Sequence, residues 1–359
     1  MIVTTSICAN YLPKAMVLAK SVKETNPDIK FVVCLLERHT HPAAEAYEYF
    51  DEIVLAKDLG FEHFEKMIFK HSIVEASTAV KGQLFVYLWE TYSEENKFVY
   101  LDPDIQVYDE LVEMTEALDR HGIVLTPHLC HPEDIMDAVM DNELSALQHG
   151  VFNLGFLAIG RTASGEGERF IRWWASRLAM FCYDDIPRGI FTDQKWIDLA
   201  PCYFDVYILK HPGYNVAPWN LSKRKITYTQ GFQVNGEKLR FFHYSGFDSG
   251  ANEGMIKKYV PDKSNAVYQL RDAYVQDLNA RGQDQLGRTP WSYDCYYDGK
   301  PISRAARISY RDVPELFYVV DNPFNKNDSF YLNYQSIHQS AQQVIRQGKN
   351  LIKRLLKRV

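Results

Sequence analysis

Strand and helix patterns alternate through roughly the first 210 residues, which restricts the chain to an α/β fold with a mostly parallel central sheet. Residues 2–8 read as a strand. Over residues 13–23, Ala15, Met16, Ala19 and Val22 share one helical face, and Asn26-Pro27-Asp28 stops it. Residues 30–36 form a continuous apolar run of the sort buried on both faces of a sheet. Further strand patterns fall at 52–56, on the run into Asp102, at 122–126 and at 151–159. Helical periodicity fills 62–89, 110–118, 132–147 and 167–180, and 192–199 reads as a short helix capped by Thr192. Beyond residue 200 the texture changes. Residues 232–242 predict a hairpin with Asn235-Gly236 as its type I′ turn, and 250–340 is an irregular, partly helical stretch rich in Tyr, Asp, Asn and Arg.

The bulk numbers exclude several classes. With 46% hydrophobic and 24% charged residues the chain is globular, and a formal charge of −6 gives no bias toward nucleic acid. The six cysteines are scattered without a Cys-x-x-Cys pair, as expected of reduced thiols in the cytoplasm. Residues 1–6 enter strand-like sequence at once, without the basic and apolar regions of a signal peptide, and no apolar run reaches membrane-span length.

The most informative stretch for function is Phe98-Val99-Tyr100-Leu101-Asp102-Pro103-Asp104-Ile105-Gln106-Val107. A strand delivers two carboxylates and resumes as an apolar stub. Alternation along an extended chain predicts that Asp102 and Asp104 point to the same side. Pro103 cannot donate a ladder hydrogen bond, so the pair belongs at a strand end. Two hard oxygen donors suit Mn²⁺ or Mg²⁺, which needs few protein ligands when a diphosphate supplies the others. A plain turn is the bland alternative. No Gly-x-Gly-x-x-Gly or Gly-x-x-x-x-Gly-Lys-Ser/Thr loop is present to cradle phosphate.

At these residues the chain resembles the nucleotide-sugar glycosyltransferases of GT-A fold, in the retaining branch that includes glycogenin and the lipopolysaccharide galactosyltransferases. Tyr100-Leu101-Asp102-Pro103-Asp104 is similar to their metal motif, and Val151-Phe152-Asn153-Leu154-Gly155 to their Phe-Asn-x-Gly strand. Thr192-Asp193-Gln194 resembles their Asp-Gln helix start, and His243-Tyr244-Ser245-Gly246 their His-x-x-Gly element. The resemblance implies a GT-A catalytic domain over 1–250, leaving 251–343 as a C-terminal extension and 344–359 as a basic amphipathic helix. It also implies metal-dependent hexosyl transfer, with retention, from a nucleoside-diphosphate sugar (a UDP-sugar first) to a glycan, lipid-linked or protein acceptor.

Residue roles follow from the resemblance. Asp102, Asp104 and His243 would hold Mn²⁺ or Mg²⁺, with Asp102 also on the donor side; His243 reads otherwise as a core histidine between aromatic strands. Asn153 and Gly155 would face the donor sugar. Asp193 and Gln194 are the catalytic candidates, or else solvate a helix start. Thr4, Thr5, Ala9, Asn10 and Tyr11 follow the first strand where the family binds base and ribose, beyond the carboxyl ends of parallel strands. Lys81 stands near the family's basic donor-binding residue, and reads equally as a solvated lysine. Gly246 belongs to the element that closes the site. One departure is notable: where relatives carry a lysine three residues after that glycine, this chain has Ser249. Asn215 and Trp219 are candidates for the acceptor side, because aromatic faces stack on sugars; Trp291, Tyr293 and Tyr310 are weaker ones.

In residues 344–359, Ile345, Leu351, Ile352, Leu355, Leu356 and Val359 share one helical face, with Arg346, Lys353, Arg354, Lys357 and Arg358 opposite. That pattern predicts an anchor on an anionic membrane surface, placing the protein peripherally on the inner face, or else a terminal helix packed on the domain or a partner interface. Two other functions compete: a sugar-phosphate nucleotidylyltransferase, which would need a glycine-rich N-terminal loop absent here, and a non-catalytic carbohydrate- or partner-binding module.

Overall fold

The computed structural model describes residues 1–356. Contacts divide them into two compact units, one of Met1–Phe61 with Glu75–Trp291, the other of Glu62–Val74 with the chain from Ser292 onward. The helical segments at 251–280 therefore lie in the first unit, and residues 62–74 lie in the second although they sit between elements of the first.

A mixed, mostly parallel seven-stranded sheet organises the first unit. Its strands are β1 (Ile2–Ile7), β2 (Lys30–Leu35), β3 (Glu52–Leu55), β4 (Lys97–Leu101), β6 (Ile123–Pro127), β7 (Phe152–Gly160) and β8 (Tyr207–Ile208), in the order β8-β6-β7-β4-β1-β2-β3. β5 (Ile105–Val107) and β9 (Phe241–His243) form a separate antiparallel pair. Every pairing in the large sheet is parallel except those of β7, which runs antiparallel to β4 and β6. β1 and β7 are buried at every position, including the polar Thr4, Thr5 and Ser6 of β1 and Asn153 of β7. Helix α1 (Leu12–Thr25) starts with Pro13 in its first turn, where a missing N–H costs nothing. Helices α2 (Lys81–Thr91) and α3 (Glu166–Phe181) pack closely because Gly82 is bare: a Cβ there would lie 2.6 Å from Ala175 Cα.

The predicted hairpin is present, with Asn235 at φ 52° and Gly236 at φ 90°, as a type I′ turn demands. Other expectations need correcting. The helical pattern over 62–89 resolves into three helices, Phe64–Phe69, Ile73–Ala79 and α2. That over 132–147 is broken by a π-helical turn at Val139–Glu143. Thr192 does not cap a helix. It sits in the left-handed region at φ 44°, its hydroxyl donates to the Asp193 carboxylate at 3.1 Å, and the 3₁₀ turn begins later, at Lys195.

In the second unit Phe69 is ringed by Tyr310, Phe324 and Tyr331 at centroid distances of 5.2, 5.2 and 5.0 Å. Arg307 donates to the carbonyls of Phe69 and His71, both at 3.0 Å. The terminal helix runs Asp328–Leu356. Residues 357–359, and most of the side chains that would define the two faces expected of 344–359, lie outside the described residues.

Candidate functional site

β4 ends at Leu101, and the chain turns through Asp102-Pro103-Asp104, with Ile105 N donating to Asp102 O at 3.0 Å. Pro103 takes the turn position that its fixed φ suits. The two aspartates thus share a side because of a β-turn, not because of strand alternation. β9 then pairs with β5 in a register that sets His243 opposite Ile105, and Tyr244 N donates to Asp104 O at 2.8 Å. This long-range pairing brings the imidazole to the turn. His243 Nε2 lies 3.1 Å from Asp104 Oδ1 and 3.8 Å from Asp102 Oδ2, and one ligand atom from each of the three residues falls within 4.8 Å of the other two. Two carboxylates and an imidazole in that space form a donor set that fits Mn²⁺ or a similar divalent ion.

His243 is both a core residue and a member of this cluster. Burial opposes its protonation, but the Asp104 and Asp102 carboxylates together raise its pKa. The imidazolium in turn holds Asp104 below the carboxylate range against the effect of burial. On the other ring nitrogen, His243 Nδ1 lies 3.2 Å from Asn215 Oδ1. Asn215, left-handed at φ 50°, also donates to Thr126 Oγ1 at 2.9 Å and Asn153 Oδ1 at 3.0 Å. An outer shell of this kind fixes the direction of a ligating histidine.

Lys81, at the start of α2, is a buried residue and not a solvated one. Its ammonium is 3.0 Å from both Asp102 Oδ1 and Asp193 Oδ2, donates to Leu154 O at 3.1 Å, and stands 4.4 Å from the centre of the Tyr100 ring. Burial would favour the neutral amine, yet the two carboxylates hold its pKa well above the ordinary lysine value. Burial raises Asp193 in spite of Lys81. Gln194 accepts from Leu154 N at 3.1 Å and donates to His149 O at 3.1 Å. Gly155 is required by close approach: a Cβ there would lie 2.4 Å from His243 Cε1.

The structure therefore gathers Lys81, Asp102, Asp104, Asn153, Gly155, Asp193, Gln194, Asn215 and His243 into one bonded network. Trp219 borders it, with its ring 5.3 Å from that of His243, edge to face. The N-terminal candidates are more dispersed. Thr4 spends its hydroxyl on Val32 O at 2.8 Å, Thr5 is buried, and Ala9 N donates to Glu37 at 2.9 Å. Asn10 and Tyr11 lie in the turn after β1, and Tyr11 donates to Asp248 Oδ2 at 3.2 Å. Gly246 is left-handed at φ 73°, opening the loop that carries Asp248. Trp291, Tyr293 and Tyr310 are buried in their own units and offer no open face.

Sequence reasoning missed Lys14 and His128. Lys14 is buried in α1, forms an ion pair with Asp248 and lies 4.0 Å from the centre of the Tyr11 ring. A lysine among apolar helix neighbours was the available signal. His128 Nε2 contacts Asn153 Nδ2 at 3.1 Å, which only the fold reveals.

Residues 2–208 match the model of a family described as glycosyl transferase family 8. No curated protein sequence matches. Similar solved structures include the galactosyltransferase LgtC in complex with donor and acceptor sugar analogues, at 17% identity over 78% of this chain and 96% of that one, TM-score 0.47. The glycosyltransferase GlyE of Streptococcus pneumoniae TIGR4 aligns at 14% identity over 80% and 65% of the two chains, TM-score 0.42. Mouse xyloside xylosyltransferase 1 aligns at 14% over 68% and 96%, TM-score 0.36.

Proposed function

The chain belongs to glycosyl transferase family 8, and on that premise we propose that it transfers a hexosyl unit from a nucleoside-diphosphate sugar, UDP-linked in the first instance, to a glycan, lipid-linked or protein acceptor with retention. The observation that carries the proposal is the convergence of Asp102, Asp104 and His243 within 4.8 Å, beside the buried Lys81–Asp193 pair. We assign the catalytic domain to 1–250 and its extension to 251–343.

Asp102, Asp104 and the neutral form of His243 would hold Mn²⁺ or Mg²⁺. The bound ion would neutralise charge on the departing diphosphate. Lys81 fixes the orientation of Asp102 and Asp193 at once, so the metal side and the sugar side of the site share one cation. Asp193, paired with that ammonium, is suited to positioning sugar hydroxyls, and its engagement favours same-face attack over a covalent intermediate. Gln194 and Asn153 brace the β7 backbone at Leu154 and Gly155, which fixes the strand that carries Asn153 toward the sugar. Asn215 holds His243, and Trp219 offers an apolar face to the acceptor. Thr4, Thr5, Ala9, Asn10 and Tyr11 are assigned to the base and ribose, and Gly246 to closure over the donor. We place the protein in the cytoplasm, peripheral to the inner face of a membrane through 344–359.

Thermal-shift and hydrolysis assays against a panel of nucleoside-diphosphate sugars, with and without Mn²⁺, test the reading. The expected result is metal-dependent stabilisation and turnover by at least one donor, lost in Asp102→Ala and Asp104→Ala. Full activity in both variants would overturn it.

A further inference from the structure

Three arginines are buried among the described residues, and their partners differ. Arg240 meets the carboxylates of Asp109 at 2.9 Å and Glu113 at 2.6 Å, and Arg307 meets Asp294 at 3.2 Å. Arg224, only 5% exposed, has no carboxylate within ion-pair distance among the described residues. Its guanidinium donates instead to Tyr214 O at 2.5 Å and to Cys130 Sγ at 3.4 Å. A carbonyl and a thiol satisfy hydrogen bonds but do not neutralise a charge, and an uncompensated buried charge is costly. Burial accordingly pulls the Arg224 pKa below the usual guanidinium value.

Arg224 lines a cavity of ≈ 180 Å³ together with Cys130, His131, Lys210, Asn220 and Lys223. At about 30 Å³ per water in the liquid, this is room for roughly six waters, enough for a tetrahedral oxyanion with part of its hydration. Lys210 is exposed and forms no ion pair among the described residues, and Lys223 pairs with Asp134, which is 85% exposed. A surface pair of that kind is weak and readily exchanged. Three permanently cationic residues thus line one concavity in a chain whose net charge is −6.

We infer that this cavity is an oxyanion subsite that takes a phosphate group, with Arg224 as its buried base and Lys210 and Lys223 at its mouth. Multiple converging donors of permanent charge match a phosphate better than a carboxylate. The subsite lies one residue from the metal-binding cluster. Asn220, a lining residue, donates to Asn215 O at 3.0 Å, and Asn215 Oδ1 is 3.2 Å from His243 Nδ1. Since the donor's diphosphate is assigned to Asp102 and Asp104, a phosphate here arrives on the acceptor; this choice of source, though not the subsite, rests on the function proposed above.

Calorimetric titration of the full chain with inorganic phosphate, in metal-free buffer at constant ionic strength, tests the subsite. Wild type is expected to bind. Lys210→Ala and Lys223→Ala, both changes outside the core, are expected to bind about tenfold more weakly, the loss of about one charge-assisted hydrogen bond each. Arg224→Gln should abolish binding, and an excess of UDP should not displace phosphate. Absence of binding in wild type, wild-type affinity in both lysine variants, or displacement by UDP would overturn the assignment. Donor hydrolysis separates the sources: inorganic phosphate leaves it unchanged if the group is borne by the acceptor, and alters it if free phosphate is the ligand. Phosphate binding without hydrolysis of any nucleotide sugar would sink the proposed donor chemistry while leaving the subsite standing.

Discussion

Lys81 Nζ lies 3.0 Å from Asp193 Oδ2, and both side chains are 3% exposed. Removing the lysine strands the buried Asp193 carboxylate and also takes the cation from the partly exposed Asp102, whereas removing Asp193 leaves Lys81 still paired with Asp102. Lys81→Met is therefore expected to cost about 3–5 kcal/mol in urea unfolding, and Asp193→Asn distinctly less. The double variant should recover part of the Lys81→Met loss. Equal costs for the two single changes would contradict this account.

Gly155→Ala puts a methyl into the His243 ring. Overpacking of that kind costs about 1–3 kcal/mol, but the more specific consequence is displacement of the imidazole. The variant should lose Mn²⁺-dependent thermal stabilisation while remaining folded by circular dichroism. Gly254→Ala, where a Cβ meets nothing within 4 Å, is the matched control.

His128 supplies a pH signature. Burial pushes its pKa from 6.5 down to about 4. The unfolded chain therefore takes up the proton first as pH falls. Stability from this group is complete above pH 6.5 and is lost as pH drops through the folded value near 4, with a slope of about 1.4 kcal/mol per pH unit between them. His128→Gln should flatten the stability profile in that window; an unchanged slope would show that other groups set it.

Deletion of 344–359 addresses the membrane reading. Co-sedimentation with phosphatidylserine-containing vesicles should fall sharply in the truncated chain and should weaken with salt in the intact one. Equal sedimentation of both would remove the anchor.

How much of this was legible beforehand depended on how local each feature is. The strand that delivers Asp102 and the type I′ turn at Asn235-Gly236 are set by nearest neighbours and could be read directly. His243 became a ligand candidate only through resemblance, since the pairing of β9 with β5 that carries it to Asp104 joins distant parts of the chain. Lys81 illustrates the opposite limit. A lysine at a helix start is ordinarily solvated, and only tertiary packing shows it wedged between two aspartates. Thr192 has the composition of a cap, but the backbone there is left-handed and its hydroxyl is used by Asp193. Residues 62–74 show no compositional break, although they join the second unit.

The short β5–β9 ladder has a mechanical consequence. It tethers the turn that carries Asp104 to a strand that follows more than a hundred residues later, so a cation gripped by both would behave as a removable cross-link closing a long loop. Chelation should then loosen the chain near 241–243 first, and hydrogen exchange at the amides of His243 and Tyr244 would report when the clasp is fastened.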